Sequence, residues 1–247
     1  MREKQFHEDV RIPSYLCGPD DHLGFEGVAS LLQEAAWQHA QHLGVSFTEE
    51  GVDFYWVLHR LGLRFLRRPR WNETVHITTW PSGMERLYAL RDFMIESTTG
   101  EALVHVSSAW IILNAAGGRP ERPERHLPRE WILDTRVLDL PTGKTPTIAE
   151  SRVAQELGSA QWNAVRPSDT DRNLHVNNAR YAQWLKDAAS ETLKEEPSGM
   201  LTFTNETKRG QEYAVVLDQD VPAAEVWVRN KGADDAVCAC RYNRFPD

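Results

Sequence analysis

The chain has 247 residues, 41% hydrophobic and 26% charged, which is the composition of an ordinary globular protein. Its formal net charge of −8 argues against a generic nucleic-acid binder, and no run of roughly 18 apolar residues predicts a membrane span. The N-terminal sequence MREKQFHEDV lacks the apolar core of a signal peptide, so we expect a cytoplasmic protein. The odd set Cys17, Cys238 and Cys240 predicts neither a disulfide framework nor a paired-CxxC zinc site.

The first half of the chain predicts one strand, one long helix and four further strands. A strand-like stretch near 7–16 precedes a helix over 25–43, in which apolar residues recur at i, i+3 and i+4 and Gly44 forms the C-terminal cap. Four stretches then alternate β-branched or aromatic residues with polar ones, the pattern of strands: 55–67, 74–81, 86–97 and 102–114.

The second half repeats this order. The stretch 115–150 is rich in proline, glycine and charge, which is typical of a linker. It is followed by a strand-like stretch, a helix and four strands, over 158–167, 179–193, 200–208, 212–218, 223–230 and 236–243. A shift of 153 residues aligns His175 with His22 and WLKDAA (184–189) with LLQEAA (31–36). We interpret this as an internal duplication of an α+β unit, one long helix wrapped by an antiparallel sheet.

A cluster of short polar side chains, SDTDRNLHVNN (168–178), directly precedes the second helix. The positions equivalent to Asp171 and Asn173 in the first half are Gly18 and Asp20, so the chemistry of this cluster is expected in the second half alone.

Three interpretations of the cluster differ in what they explain. A calcium loop needs glycine at its sixth position and glutamate at its twelfth, where this sequence has Leu174 and Arg180. A helix cap by Asn177 or Asn178, with an Asx turn before it, explains the asparagines but not a histidine in the same turn. The remaining interpretation is the polar part of an active site.

The segment DRNLHVNNARY (171–181) is similar to the signature D-x-N-x-H-V-N-N-x-x-Y of the acyl-acyl carrier protein thioesterases of plants and bacteria. The first half contains further segments that resemble this family in the same order: LLQEAAWQHAQHLG (31–44), WVLHRLGLRF (56–65), PRWNETVHITTWPSG (69–83), RDFMI (91–95) and SSAWIILN (107–114). The resemblance therefore extends over nearly the whole chain.

The resemblance implies a fold, an activity and a set of site residues. The fold is two tandem hot-dog units forming an internal pseudo-dimer, with an acyl-binding unit over 1–125, a linker over 126–150 and a catalytic unit over 151–247. The activity is hydrolysis of the fatty acyl-acyl carrier protein thioester, without cofactor or metal. The implied catalytic residues are Asp171, Asn173, His175 and Glu206.

The chain departs from the family at one position, because Thr207 stands where plant members often have a cysteine after the glutamate. A thiolate nucleophile at this position is therefore excluded. Plant members of the family also have a targeting segment. This sequence lacks one, as expected of a bacterial enzyme.

The chemistry of thioester hydrolysis leaves several roles open. Asp171 or Glu206 can act as base or nucleophile, Asn173 can orient water, and His175 or helix N–H groups can face the thioester carbonyl. Alternative functions are an acyl-coenzyme A thioesterase, a hydratase or dehydratase acting on acyl thioesters, and a non-catalytic acyl-binding protein.

The expected partner, acyl carrier protein (ACP), is strongly acidic, so docking on an acidic chain needs a local basic patch. Candidates are Lys208 with Arg209, or the cluster Arg64, Arg67, Arg68 and Arg70. No nucleic acid or membrane partner is expected, and the protein is expected to be a monomer or a homodimer.

Overall fold

The computed structural model describes residues 4–46, 50–189, 198–218 and 223–245. The chain divides into two compact units, Met1–Thr142 (unit 1) and Gly143–Asp247 (unit 2). Within the described ranges, no helix is both long and apolar enough to cross a membrane.

Unit 1 is an antiparallel sheet with one long helix. Its elements are β1 (Phe6–Arg11), α1 (Phe25–Leu43), β2 (Phe54–Phe65), β3 (Thr74–Glu85), β4 (Tyr88–Ser97), β5 (Ala102–Asn114) and the short β6 (Pro120–Glu121). The main strands lie in the order β1-β3-β4-β5-β2, and β6 pairs with β5. Helix α1 packs on β1 and β3 through a buried face that includes Val28 and Leu32, and it ends at Gly44 in the left-handed conformation.

Unit 2 has the same plan with one additional helix. Its elements are α2 (Glu150–Ser159), β7 (Asn163–Ala164), α3 (Asn178–Ala188), β8 (Gly199–Phe203), β9 (Gln211–Asp218), β10 (Ala223–Asn230) and β11 (Val237–Arg244). Its strands lie in the order β7-β9-β10-β11-β8, again antiparallel, and α3 packs on β9 and β10.

The two units thus share one strand order, with the long helix between the first and second strand of each. This repetition confirms the predicted internal duplication of an α+β unit. The predicted helix over 179–193 begins one residue earlier than expected, and residues 190–193 lie outside the described residues.

Helix α2 was missed by the sequence analysis. We predicted a linker up to residue 150 and a strand over 158–167, but the chain is helical over Glu150–Ser159 and only Asn163–Ala164 is a strand. The helix has a narrow apolar face, because Val153 and Leu157 alone pack onto Ile148 and Val216. The segment is short and polar on average, so it resembles the polar connection before it despite its helical spacing.

The stretch predicted as a linker is divided between the units, and each unit holds its own part by a hydrogen bond from a backbone N–H. The N–H of Val137 donates to the buried carboxylate of Asp92 at 2.6 Å, and the N–H of Ile148 donates to the buried carboxylate of Glu225 at 3.3 Å. Burial raises the pKa of Asp92 above the ordinary range of an aspartate. The predicted domain bounds and roles stay predictions: an acyl-binding unit over 1–125, a linker over 126–150 and a catalytic unit over 151–247.

Asn177 is the N-cap of α3, one of the two asparagines predicted for this role. Its side-chain oxygen accepts the N–H of Ala179 at 2.9 Å, which satisfies one of the unpaired donors of the first helical turn.

We expect Asn177→Ala to lower the free energy of unfolding by about 1 kcal/mol, because the N–H of Ala179 loses its acceptor. Urea unfolding followed by circular dichroism measures this. The matched control is Asn178→Ala, one residue later, which should change the free energy by less than about 0.5 kcal/mol. Equal losses in both variants would show that the cap makes no specific contribution.

Candidate active site

The turn before α3 is built by its own backbone and one carboxylate. The N–H of Asp171 donates to the carbonyl of His175 at 2.8 Å, and the N–H of Leu174 donates to the carbonyl of Asp171 at 3.0 Å. The Asp171 carboxylate accepts the N–H of Asn173 at 2.7 Å, which is the predicted Asx turn. Leu174 has a φ of 63°, the left-handed conformation that this tight reversal requires.

Glu206 reaches this turn from a distant part of the chain. It follows β8, and the segment after it pairs with the segment at His175: the N–H of Val176 donates to the carbonyl of Thr207 at 2.8 Å. His175 and Lys208 form an isolated β-bridge. This pairing places His175 Nε2 3.4 Å from Glu206 Oε2.

The His175–Glu206 pair is open to solvent. The side chains are 35% and 54% exposed, so water and a substrate both have access. Lys208 Nζ lies 3.4 Å from the same Glu206 oxygen, a contact that the sequence analysis missed because it depends on the bridge. His175 and Lys208 thus both face one carboxylate oxygen of Glu206.

Asp171 and Asn173 lie in the same turn as His175 but make a different contribution. Among the described residues, no side-chain hydrogen bond joins either of them to the His175–Glu206 pair. One Asp171 oxygen is used by the Asn173 N–H, and the Asn173 side chain is exposed. The predicted four residues are therefore a contacting pair and two neighbours on one turn.

The start of α3 offers a site for negative charge beside the pair. The N–H groups of a first helical turn lack acceptors within the helix, and the helix dipole is positive there. Ala179 and Arg180 donate to Asn177, whereas the N–H of Asn178 has no acceptor within the described part of the chain. This N–H is available to an oxyanion.

Thr207 faces away from the site. It is 1% exposed, and its hydroxyl accepts a hydrogen bond from the Tyr181 hydroxyl at 2.8 Å. A side chain at this position is therefore buried, whereas that of Glu206 is on the open side.

The cysteines are poor nucleophiles. Burial raises the pKa of Cys238 to about 11 and also raises the pKa of Cys240. Burial and two nearby aspartates raise the pKa of Cys17, which lies in unit 1. Because the thiolate is the reactive form, the raised pKa values make all three cysteines poorly reactive at neutral pH.

Unit 1 contains a copy of the turn without its chemistry. The N–H of Gly18 donates to His22 as that of Asp171 does to His175, and the N–H of Leu23 donates to Pro69 as that of Val176 does to Thr207. The residue before Pro69, in the place of Glu206, is Arg68.

Arg68 binds to the corresponding turn in unit 1 through three hydrogen bonds. Its guanidinium donates to the carbonyls of Leu23 and His22, at 3.1 Å each, and to the carboxylate of Asp20. A guanidinium stays charged and has no acceptor, so Arg68 cannot take the place of the Glu206 carboxylate beside the histidine. This agrees with the prediction that the chemistry belongs to the second half. The ring of His22 lies within the same turn, where its Nδ1 contacts the carbonyl oxygen of Asp20 at 2.6 Å.

The described residues contain no group of three or more His, Cys, Asp or Glu side chains placed to hold a metal ion. The expectation of metal-free and cofactor-free catalysis stays a prediction.

Solved structures of thioesterases share the fold. An acyl-ACP thioesterase from Bacteroides thetaiotaomicron has a TM-score of 0.79 at 19% identity, covering 97% of this chain and 96% of that chain. The 12:0-ACP thioesterase from Umbellularia californica has a TM-score of 0.74 at 23% identity, covering 100% and 96%. These likenesses confirm the tandem hot-dog fold, whereas the packing of the units as a pseudo-dimer stays a prediction.

Sequence comparison gives the same family. The chain is 28% identical over 223 residues to a chloroplastic palmitoyl-acyl carrier protein thioesterase of Cuphea hookeriana, covering 84% of this chain and 52% of the relative. The chain spans about half the length of the curated relatives it matches.

Two family descriptions cover most of the sequence. The acyl-ACP thioesterase N-terminal domain matches residues 3–127, and the acyl-ACP thioesterase C-terminal domain matches residues 154–239. The chain therefore belongs to the acyl-ACP thioesterase family.

Proposed function

We propose that the chain hydrolyses the thioester of fatty acyl-ACP and releases a free fatty acid, with the reaction in unit 2. The observation that carries this proposal is the contact between His175 and Glu206 at 3.4 Å, beside the N-terminus of α3. A base next to a site for an oxyanion is what attack of water on a thioester carbonyl requires.

In the proposed mechanism, the His175–Glu206 pair activates water. Imidazole is the stronger base of the two, and a proton on its Nε2 is held by Glu206, which leaves Nδ1 to take the proton of the attacking water. The water oxygen bonds to the thioester carbon, and the carbonyl oxygen becomes an oxyanion near the N–H of Asn178. The C–S bond then breaks, and the proton on His175 passes to the leaving thiolate.

Asp171 and Asn173 shape the site in this proposal. Asp171 fixes the turn that carries His175, because its carboxylate accepts the N–H of Asn173 at 2.7 Å. The exposed Asn173 amide is a further donor for the carbonyl oxygen.

The acyl chain is proposed to bind in unit 1, as expected from the sequence. Between helix and sheet, unit 2 is filled by aromatic rings: Trp184 stacks on Tyr213 with ring centroids 3.7 Å apart, and Tyr181 packs against Phe203. The residues equivalent to Tyr181 and Trp184 on α1 are the smaller Val28 and Leu31. Unit 1 is therefore better suited to accommodate an alkyl chain.

The proposed partner is the acidic carrier, and unit 2 provides a basic rim around the turn. Arg166, Arg172 and Arg209 are exposed there, in a chain with a formal charge of −8. In the alternative cluster of unit 1, Arg67 is paired with Glu73 and Glu101, and Arg68 with Asp20. These pairs reduce the attraction of that cluster for an acidic partner. A cytoplasmic location in a bacterium, and a monomeric or homodimeric state, belong to the same proposal.

We expect His175→Ala and Glu206→Gln each to lower kcat for acyl-ACP by about a hundredfold or more, because the base or its orienting partner is lost. Free thiol release measures kcat, and circular dichroism checks folding. The control Arg68→Gln changes the copy in unit 1 and should keep kcat within about threefold. Folded His175→Ala protein with the turnover of the wild type would refute the mechanism. A protein that hydrates acyl thioesters without thiol release would instead be a hydratase.

Catalysis should require neither a thiolate nor a metal ion. Because burial raises the pKa of Cys238 to about 11 and no metal-holding group lies in the described ranges, iodoacetamide at pH 7 and EDTA should each leave kcat within about twofold. Thiol release is again the assay. Loss of activity with either reagent, restored by added metal in the case of EDTA, would contradict this expectation.

We expect Arg209→Glu to raise KM for acyl-ACP by about tenfold, since it places a negative charge on the proposed docking rim. Short-chain coenzyme A esters should show a change of less than about twofold. Lys208 is left intact, because it contacts Glu206 at 3.4 Å and its loss would alter the site itself. The charge-matched control is Arg119→Glu in unit 1, and equal effects of both variants would count against the assignment.

A further inference from the structure

A buried hydroxyl pair lies behind the site, between α3 and the segment that carries Glu206. The Tyr181 hydroxyl donates to Thr207 Oγ1 at 2.8 Å, and the two residues are 2% and 1% exposed. Tyr181 follows His175 on the adjoining helix, and Thr207 directly follows Glu206. The hydrogen bond therefore joins the two chain segments that supply the contacting pair.

The position of the Tyr181 ring is fixed on both sides. It packs edge-on against Trp184, with ring centroids 5.3 Å apart, and against Phe203, at 5.6 Å. Phe203 ends β8, the strand that leads to Glu206. Burial raises the pKa of the Tyr181 hydroxyl, so it remains protonated and a donor.

Glu206 itself has few restraints on its side chain. It is 54% exposed, and its contacts in the described structure are with His175 and Lys208, each at 3.4 Å. The direction of the carboxylate thus depends on how firmly the backbone around Thr207 is held.

The copy in unit 1 shows that the turn forms without this pair. The residues equivalent to Tyr181 and Thr207 are Val28 and Pro69, neither of which has a hydroxyl. Nevertheless, the N–H of Leu23 donates to Pro69 at 2.8 Å, the same distance as from Val176 to Thr207. The hydroxyl pair is therefore dispensable for the turn and occurs in the unit that has the catalytic residues.

We propose that Tyr181 and Thr207 are positioning residues that hold Glu206 against His175 through their buried hydrogen bond. This inference rests on the proposed function for its kinetic consequence. A displaced Glu206 still allows substrate to bind but orients the base less well, so the loss falls on kcat and not on KM.

The test compares Tyr181→Phe, Thr207→Val and the double variant, using acyl-ACP hydrolysis and the free energy of unfolding. Each single variant should lower kcat by about tenfold with KM unchanged. The double variant should lose no more than either single one, because both remove the same interaction. Thr207→Ser, which keeps the hydroxyl, should retain kcat within about twofold.

The matched control is Tyr213→Phe. It removes a hydroxyl from another ring of the same aromatic cluster, since Tyr213 stacks on Trp184, and it should keep kcat within about twofold. Crystal structures add a readout independent of activity: in Tyr181→Phe the distance from His175 Nε2 to Glu206 Oε2 should exceed about 4 Å, the limit of an ion pair. A wild-type distance and kcat in Tyr181→Phe, or additive losses in the double variant, would overturn the inference. If the wild type releases no thiol, the proposed function fails, and the distance alone decides the positioning role.

Discussion

One backbone hydrogen bond, from the N–H of Val176 to the carbonyl of Thr207, is the constraint on which the site depends. It pairs the segment before α3 with the segment after β8, so that residues about thirty positions apart in sequence become neighbours. Because side chains alternate along paired extended segments, Glu206 lies on the open side and Thr207 on the buried side. The His175–Glu206 contact follows from this pairing.

The duplication separates what the fold needs from what the chemistry needs. Both units form the same turn with the same backbone bonds, and each has a left-handed residue in it, Asp21 and Leu174. In unit 1 an arginine satisfies the carbonyls of the turn, whereas unit 2 has a glutamate at that place. The turn is therefore a structural module, and the residue that reaches it decides whether the histidine has a carboxylate partner.

The sequence predicted most long elements well, because their periodic pattern of apolar residues reflects burial. The strand predicted over 200–208 is an exception: it ends at Phe203, so Glu206 lies after the strand and not on it. Helix α1 and strands β5 and β10 were predicted to the residue, and the asparagine cap was narrowed to two positions. Helix α2 was missed because a face of two apolar residues is hard to distinguish from a polar connection. Its strand-like surroundings added to the error.

The candidate site could be predicted only in part. Asp171, Asn173 and His175 lie in one dense polar stretch, but an exposed glutamate after a strand has no local signal, and Glu206 was found through the family resemblance alone. The contacts of Glu206 with Lys208, and of Tyr181 with Thr207, arise from long-range pairing of the chain. Local patterns do not encode such pairing, nor do they show that one oxygen of Asp171 is used within the turn.

The central claim is that water, activated at the His175–Glu206 pair, attacks the thioester directly. A single turnover of acyl-ACP with excess enzyme in H₂¹⁸O, followed by mass spectrometry of the acid and the protein, tests it most directly. The account predicts one ¹⁸O atom in the released fatty acid, one free thiol for each acid, and no change in the mass of the protein. An acylated protein, or unlabelled acid with ¹⁸O in a carboxylate of the enzyme, would contradict it.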